Sequence, residues 1–172
     1  PKKVLTFPKL CHGCGGCWLF CPAGAITEGQ RQIGTIESGR SNGMHFAYGR
    51  LNVGEAMSPP LIRAVRQKAR PSGAVILDCP PGTACPMVAA VRGANIAVLV
   101  TEPTPFGLHD LRLAIETIRQ LSMPIGVVVN RSDAGDDRVR QYCAKETIPL
   151  LLEIPHDRRI AEAYSRGRPA IA

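Results

Sequence analysis

Four cysteines lie within eleven residues, at Cys11, Cys14, Cys17 and Cys21 in the run C-H-G-C-G-G-C-W-L-F-C-P. Two, two and three residues separate them, and a proline follows the last, which is the spacing with which thiolates bind an iron–sulfur cluster. The glycines between the cysteines permit tight turns that point several sulfur atoms at one metal centre. The segment therefore predicts a 4Fe–4S site.

Two other kinds of cysteine site fit this run less well. A structural zinc site, which remains the alternative, usually pairs two C-x-x-C knuckles across a longer gap, and disulfide frameworks belong to small secreted domains. In two-cluster proteins the last cysteine of such a run binds the other cluster, but the chain contains no second run. We expect Cys11, Cys14 and Cys17 to share one cluster and Cys21 to serve a second.

Composition narrows the classes of partner. The 172 residues include 21 Lys and Arg against 14 Asp and Glu, a net charge of +7. The arginines are scattered along the chain without interleaved aromatic residues. We therefore expect no nucleic-acid partner. No apolar run is long enough to span a membrane. Seven cysteines arranged for metal, with no secretory signal before them, predict a cytoplasmic location.

The first region, residues 1–57, reads as a small module organised by its metal. It holds a predicted short strand at Val4–Phe7, the cysteine run, and stretches rich in β-forming residues at Gln32–Glu37 and Met44–Asn52. Too few large apolar side chains are present to stabilise such a module alone. Metal ligation or docking is therefore expected to contribute to its folding.

The second region, residues 58–172, alternates helix and strand. Ser58 is predicted to cap a helix that starts at Pro59 and ends at Pro71, Ser72 and Gly73. Apolar side chains recur at helical spacing from Leu108 to Leu121. Short apolar runs predict buried parallel strands at Ala74–Leu77, Ile96–Val100, Ile125–Val129 and Leu150–Ile154.

The predicted fold class is α/β: a doubly wound, mostly parallel sheet with helices on both faces, plus a small N-terminal iron–sulfur segment. Ligands in such sheets bind beyond the carboxyl ends of the strands. Polar or turn-forming residues follow the four predicted strands at that edge, namely Asp78, Thr101, Glu102, Asn130, Arg131, Pro155 and Asp157. The sequence therefore predicts a ligand site at this edge of the sheet.

Two of these residues have an ordinary alternative. Asp78 leads into the loop C-P-P-G-T, an arrangement in which an acid holds Mg²⁺ and a mobile loop senses phosphate, but an aspartate there also caps helices. Asn130 can read a nucleobase through its amide, although alone it is an ordinary turn residue. Their functional reading therefore depends on the neighbouring motifs.

Four segments carry a family resemblance: D-C-P-P-G-T-A-C-P from Asp78, T-E-P-T-P-F-G-L-H-D-L from Thr101, V-V-V-N-R from Val127 and I-P-H-D-R-R-I-A-E-A-Y-S-R-G-R-P from Ile154. They resemble the MinD/ParA superfamily of P-loop ATPases, and more narrowly the members that carry an inserted ferredoxin domain. The resemblance implies that residues 1–57 are part of that insert with connecting β segments, and that 58–172 are the C-terminal part of the NTPase domain.

The resemblance also implies site roles in a complete protein that binds MgATP. Asp78 would be the magnesium-associated acid and Gly82 would belong to the loop that senses the γ-phosphate. Asn130, Pro155 and Asp157 would surround adenine. We name Asp78 and Gly82 as candidate catalytic residues on this basis.

The chain differs from the family in lacking the glycine-rich loop that binds phosphate. It contains no G-x-x-x-x-G-K-[ST] motif and no Gly-Lys pair, and the backbone N–H groups and lysine of that loop provide most phosphate binding. Together with Pro1 at the first position, this predicts a chain cut within the ferredoxin insert. We expect the complete protein to be an ATPase and the chain as given to be inactive.

Loss of the phosphate-loop strand has a predicted structural consequence. It would leave Ala74–Leu77 with an unpaired apolar edge. We expect Val4–Phe7, or a second copy of the chain in a homodimer, to cover that edge.

Three further cysteines lie outside the run. Cys85, seven residues after Asp78, resembles the cluster-ligating cysteine of the nitrogenase iron protein. The favoured interpretation of Cys79 and Cys85 is nevertheless that of small buried hydrophobic side chains. Cys143 is predicted to lie in the core on a helix.

Two functions remain open. The preferred one is an ATP-binding iron–sulfur protein that couples nucleotide state to a redox cluster, for electron transfer or metal-centre assembly with a redox or metal-client protein. The alternative is a ferredoxin-type electron-transfer or metal-carrier module without ATPase activity.

Overall fold

The computed structural model describes residues 5–69 and 73–169. A single 3-10 turn at Pro8–Leu10 precedes the regular elements. The helices in the described ranges are α1 (Gly16–Leu19), α2 (Pro59–Arg66), α3 (Cys85–Val91), α4 (Pro105–Gln120), α5 (Arg138–Lys145) and α6 (Arg158–Ser165). The strands are β1 (Gly34–Ser41), β2 (Met44–Leu51), β3 (Ala97–Thr101), β4 (Ile125–Asn130) and β5 (Leu150–Ile154).

These elements form two compact units. The first comprises the residues up to Pro80 together with Cys85–Ala90, and the second comprises Pro81–Ala84 together with the residues from Val91 onward. The longest helix, α4, has 16 residues. No described helix has the length and apolar character that a membrane crossing requires.

An antiparallel hairpin of β1 and β2 is the main β element of the first unit. Its register runs from Gly34 opposite Leu51 to Ser41 opposite Met44. The two-residue loop is Asn42-Gly43, with φ angles of 48° and 78°. Asn-Gly favours this geometry because both loop residues of the tight hairpin turn need positive φ. The β-rich stretches of the sequence thus pair with each other.

Helix α2 covers one face of the hairpin. A β-carbon on Gly34 would lie 3.0 Å from Cδ2 of Leu61, so the two elements approach closely where the strand has no side chain. Ser58 precedes the helix as predicted, but its side chain makes no capping hydrogen bond because its own backbone is already helical. The helix also ends earlier than predicted, at Arg66; Pro71 and Ser72 lie outside the described residues.

Two predicted strands of the first unit do not form. Residues 74–77 carry no strand pairing, and Val75 and Ile76 are 48% and 92% exposed, because no strand among the described residues lies beside them. The predicted strand Val4–Phe7 also fails in its described part, where Leu5 and Phe7 are exposed. Val4 lies outside the described residues. Among the described residues, 5–7 therefore do not cover the edge of 74–77.

A parallel sheet in the order β3-β4-β5 forms the second unit. Ala97 pairs with Ile125, and Val127 pairs with Leu150. Helices α4 and α5 provide the connections, and α4 begins where the Thr104 side chain accepts the N–H of Gly107 at 3.0 Å. Three strands lie within two residues of their predicted positions, and the α/β class with a parallel sheet is confirmed.

The core of the second unit lies between the sheet and these two helices. Apolar side chains of α4, β4 and α5 form it, together with Ile148: Leu108, Leu111, Ile115, Val127, Val129, Val139 and Cys143. Ile115 and Val127 are fully buried. On the opposite face, Val98 and Val100 of β3 are 51% and 68% exposed. Both helices therefore cover the same face of this sheet.

Candidate metal centre and strand-end site

The cysteine segment folds as a series of tight turns. Gly13 and Gly15 have φ angles of 65° and 78°, a left-handed backbone that residues with a side chain rarely adopt. Helix α1 follows at once and carries Cys17. A β-carbon on Gly15 would lie 3.1 Å from Nε1 of Trp18, so the indole ring lies against this turn. The glycines between the cysteines do form the turns that the spacing predicts.

Backbone amides point at two of the sulfur atoms. The N–H of Gly13 donates to Sγ of Cys11 at 3.4 Å. The backbone N–H groups of Ala25 and Ala23 bond the Cys21 sulfur and hold its pKa below the ordinary thiol value, although desolvation acts in the other direction. Such bonds stabilise the thiolate, which is the form that binds metal. The donor chemistry and the turns of this segment therefore fit an iron–sulfur cluster.

The thiols lie at the surface of the segment. Cys11, Cys14 and Cys17 are exposed and Cys21 is half-buried. Within the described ranges, no three His, Cys, Asp or Glu side chains lie close enough together to hold a metal ion. Because folding and metal binding are coupled in small cysteine segments, ligation itself is expected to draw the sulfur atoms together.

An ion pair between Arg31 and Glu55 was not predicted from the sequence. Nη2 of Arg31 lies 3.1 Å from Oε1 of Glu55, and Nη1 bonds the other carboxylate oxygen. The side chain of Glu55 is only 4% exposed. No motif or periodicity connects two residues 24 positions apart, so only the fold reveals the pair.

A cavity of about 380 Å³ opens at the carboxyl ends of β3 and β4 in the second unit. Its polar lining comes from Thr101, Glu102, Thr104, Asp110 and Asn130. As predicted, Thr101, Glu102 and Asn130, which lie at the ends of two neighbouring strands, line the same cavity. The amide of Asn130 can both donate and accept hydrogen bonds. Nε of Arg131 lies 3.9 Å from Oε1 of Glu102, so the charge of this carboxylate is partly balanced.

The segment after β5 lies against the loop after β4. The N–H of His156 donates to Oδ1 of Asp133 at 2.6 Å, and the N–H of Ser132 donates to the carbonyl oxygen of Ile154 at 3.0 Å. These bonds flank Pro155, which is exposed. The structure thus brings Pro155 beside the loop that follows the Asn130 strand.

Asp157 caps helix α6. Hydrogen bonds from the Arg159 guanidinium, 2.9 Å from Nε to Oδ2, and from the Arg159 backbone N–H, at 2.8 Å, hold the pKa of the Asp157 carboxyl at about 2. Neither Asp157 nor Pro155 lines the cavity that contains Asn130. The predicted contact of these two residues with adenine stays a prediction.

Asp78 and Gly82 lie in a stretch without helix or strand. Both are exposed, and Gly82 has a φ of 85°. Asp78 belongs to the first unit and Gly82 to the second. Their predicted roles toward magnesium and phosphate stay predictions.

The three remaining cysteines differ in burial. Cys79 is half-buried, its thiol donates to the carbonyl oxygen of Leu77 at 3.4 Å, and burial and the charge of Asp78 raise its pKa. Cys85 is exposed, so the expectation that it is a small buried side chain is wrong: it opens α3 at the surface. Cys143 is 2% exposed, as expected of a core residue.

Residues 5–27 match the family described as the 4Fe-4S binding domain. The match includes all four cysteines of the run and confirms the ferredoxin-type segment. It covers only the start of the chain, so the α/β part must be compared separately.

The α/β part of the chain is similar to several known proteins. An uncharacterized protein of Methanocaldococcus jannaschii is 29% identical over 167 residues, which are 96% of this chain and 58% of that protein. The chloroplastic septum site-determining protein minD homolog of Arabidopsis thaliana is 32% identical over 114 residues, 60% of this chain and 35% of that protein. The iron-sulfur cluster carrier protein of Deinococcus radiodurans is 36% identical over 110 residues, 56% of this chain and 31% of that protein. The chain is thus similar to a MinD homolog and to iron–sulfur cluster carrier proteins.

The family resemblance stated from the four motifs is thereby confirmed. The chain spans little more than half of the Methanocaldococcus jannaschii protein and about a third of the other two. No solved structure is significantly similar to it.

Proposed function

We propose that this chain is part of an iron–sulfur protein of the MinD/ParA superfamily that passes a cluster or electrons to a client protein. The N–H···S geometry at Cys11 and the amides around Cys21 carry the proposal, because they prepare thiolates for iron. Cys11, Cys14 and Cys17 would hold one cluster. Cys21 would serve a second cluster. A bound 4Fe–4S cluster supplies one-electron redox chemistry.

Nucleotide coupling is the finer part of the proposal. In the complete protein, Asp78 would hold magnesium, Gly82 would sense the γ-phosphate, and Asn130, Pro155 and Asp157 would surround adenine. The cavity at Asn130 supports the assignment of that residue alone, since its amide can donate and accept hydrogen bonds at a base edge. The cysteine run and Asp78 also belong to the same compact unit, which would allow one to respond to the other.

A ferredoxin-type module without ATPase activity is the second candidate. One observation favours it for the chain as given: the sequence has no glycine-rich phosphate loop. Under this alternative the α/β part would only dock the client.

The proposed setting is a reducing cytoplasm, with ATP and a metal or redox client as partners. A nucleic-acid partner is not part of the proposal, and several arginines of the second unit lie beside carboxylates at the surface. Such pairs join Arg119 to Glu146, Arg138 to Asp136 and Arg158 to Glu162. A homodimer remains part of the proposal.

Iron, sulfide and zinc content per chain tests the cluster. Protein prepared without oxygen should contain iron and sulfide in equal amounts, and Cys14→Ala should lose most of both. Cys85→Ala is the matched control, since it removes an exposed thiol outside the run. Zinc without sulfide would refute the proposal, and loss of iron in Cys85→Ala would place a ligand at Cys85 instead.

Calorimetry with MgATP tests the nucleotide part. We expect no micromolar binding to the chain as given, and binding to the complete protein that Asp78→Asn weakens. Electron paramagnetic resonance spectra of the complete protein should change on addition of MgATP. A spectrum that does not change on addition of MgATP would favour the ferredoxin-type module without ATPase activity.

A further inference from the structure

The guanidinium of Arg140 joins three segments of the second unit. Arg140 lies in α5, the helix that connects β4 to β5. Its Nη2 donates to the carbonyl oxygen of Ser132, in the loop after β4, at 3.2 Å, and its Nε bonds the carboxylate of Glu153 in β5. Its Nη1 bonds the carboxylate of Asp137, which directly precedes α5. One planar side chain with several fixed donors therefore links the loop after β4, the start of α5 and the end of β5.

The segments after β4 and after β5 also bond to each other. The N–H of Ser132 donates to the carbonyl oxygen of Ile154 at 3.0 Å, and the N–H of His156 donates to Oδ1 of Asp133 at 2.6 Å. The bond from His156 holds the pKa of the Asp133 carboxyl below its ordinary value, so the acceptor is charged at neutral pH. Hydrogen bonds to a charged acceptor are stronger than those between neutral groups.

Arg140 lies where these backbone bonds begin and end. Ser132 both donates its N–H to Ile154 and accepts Nη2 of Arg140 on its carbonyl oxygen, and Glu153 directly precedes Ile154 in β5. The side chains of Arg140 and Glu153 are 38% and 37% exposed, so the pair is partly shielded from water. A side chain held at three points keeps one orientation. The two segments are therefore fixed at one spacing.

We infer that Arg140 positions the base-binding part of the nucleotide site. This inference rests on the proposed function, because it needs adenine beside Asn130 and Pro155. Asn130 ends β4 two residues before Ser132, and Pro155 lies two residues after Glu153. The side chain that bonds Ser132 and Glu153 thus sets the spacing of the two segments proposed to surround the base. Arg140 is a positioning residue that would touch neither the base nor the phosphates.

The inference predicts a loss that depends on the base. In the complete protein, Arg140→Met removes all three bonds and should weaken MgATP binding about 2- to 30-fold, measured by calorimetry. Binding of magnesium tripolyphosphate, which has the phosphates but no base, should not change. Arg140→Lys keeps the charge but cannot bond at three points, and its affinity for MgATP should lie between those of Arg140→Met and the unmodified protein.

Arg138 provides the matched control. It lies on the same helix, and its Nε lies 2.8 Å from Oδ2 of Asp136, two residues before it. This pair stays at the start of α5 and does not reach β5. Arg138→Met should therefore leave the affinity for both MgATP and magnesium tripolyphosphate unchanged.

Amide exchange on the chain as given tests the geometry without nucleotide. Arg140→Met should speed exchange of the Ser132 and His156 N–H groups, whereas Arg138→Met should not. Glu153→Gln weakens one of the three bonds and should change exchange and MgATP affinity in the same direction by a smaller amount. It keeps the test decisive if Arg140→Met folds poorly.

Unchanged MgATP binding in Arg140→Met, or an equal loss of MgATP and tripolyphosphate affinity, would overturn the inference and leave the proposed nucleotide site standing. Absence of MgATP binding to the unmodified complete protein would overturn both. The affinity of the unmodified protein therefore separates the two failures.

Discussion

Val65 of α2 packs directly on the backbone of Gly49 in β2: a β-carbon at Gly49 would lie 2.8 Å from Cγ2 of Val65. The same β-carbon would lie 3.0 Å from Cγ of Leu61. Two apolar side chains of one helix thus occupy the space above a residue that has no side chain. The contact joins α2 to the hairpin that follows the cysteine run.

Gly49→Ala should lower the free energy of unfolding of the first unit by about 1–3 kcal/mol, because an added methyl group overpacks this contact. Urea unfolding followed by circular dichroism measures the change. Gly29→Ala is the control, since nothing lies within 4 Å of a β-carbon there. Equal stability of the two variants would show that α2 does not depend on the bare backbone of Gly49.

Ile115→Ala should destabilise the second unit by about 2–5 kcal/mol, since Ile115 is fully buried between α4 and the sheet and its truncation leaves a cavity. Leu113→Ala on the same helix removes a side chain that is 41% exposed and should cost less than about 1 kcal/mol. Thermal and urea unfolding of both variants provide the comparison. A similar loss from both substitutions would contradict the described core.

The Asp157 cap should weaken only in strong acid. The hydrogen bonds from Arg159 lower the pKa of Asp157 from 3.8 to about 2 in the folded chain, so its stabilisation is complete above about pH 4 and is lost as the pH falls toward 2. A carbon-13 titration of the Asp157 carboxyl group should show a midpoint near 2. Asp157→Asn keeps a capping side chain, and Asp157→Ala removes it. Amide exchange in α6 should be faster only in the alanine variant; a midpoint near 3.8 would rule out the bonded carboxylate.

Cys143 should resist alkylation in the folded, metal-free protein, whereas Cys85 should react readily. Cys143 is 2% exposed and burial raises its pKa, so little thiolate is present or accessible near neutral pH. Cys85 lies at the surface. Mass spectrometry after brief treatment with N-ethylmaleimide distinguishes the two thiols. Labelling of both at the same rate would mean that α5 does not stay packed.

The second unit was largely predictable because its packing follows local patterns. The spacing of Leu108, Leu111, Ile115 and Ile118 predicted a helix on one face of a sheet, and that helix is α4. Residues 74–77 show the limit of such patterns. An apolar run favours burial, but it forms a strand only where a neighbouring strand supplies backbone hydrogen bonds.

The candidate site also has a part that the sequence predicts and a part that it does not. The cysteine run was recognised because all its ligands are close in sequence, and Gly13 and Gly15 take the turns that this spacing requires. The Arg31–Glu55 pair could not be predicted, since only the hairpin brings the two residues together. The resemblance assigns Asp157 to the surroundings of adenine, which stays a prediction, while the sequence did not reveal that its carboxylate accepts the backbone N–H of Arg159 at the start of α6.

The order of β3, β4 and β5 in the sheet is also their order along the chain. During synthesis, each strand can therefore join an edge that already exists, with its connecting helix arriving just before it. No strand in this part of the sheet must wait for a later segment to be inserted between two others. The second unit can thus assemble progressively as it leaves the ribosome, from its amino-terminal strand to its carboxyl-terminal one.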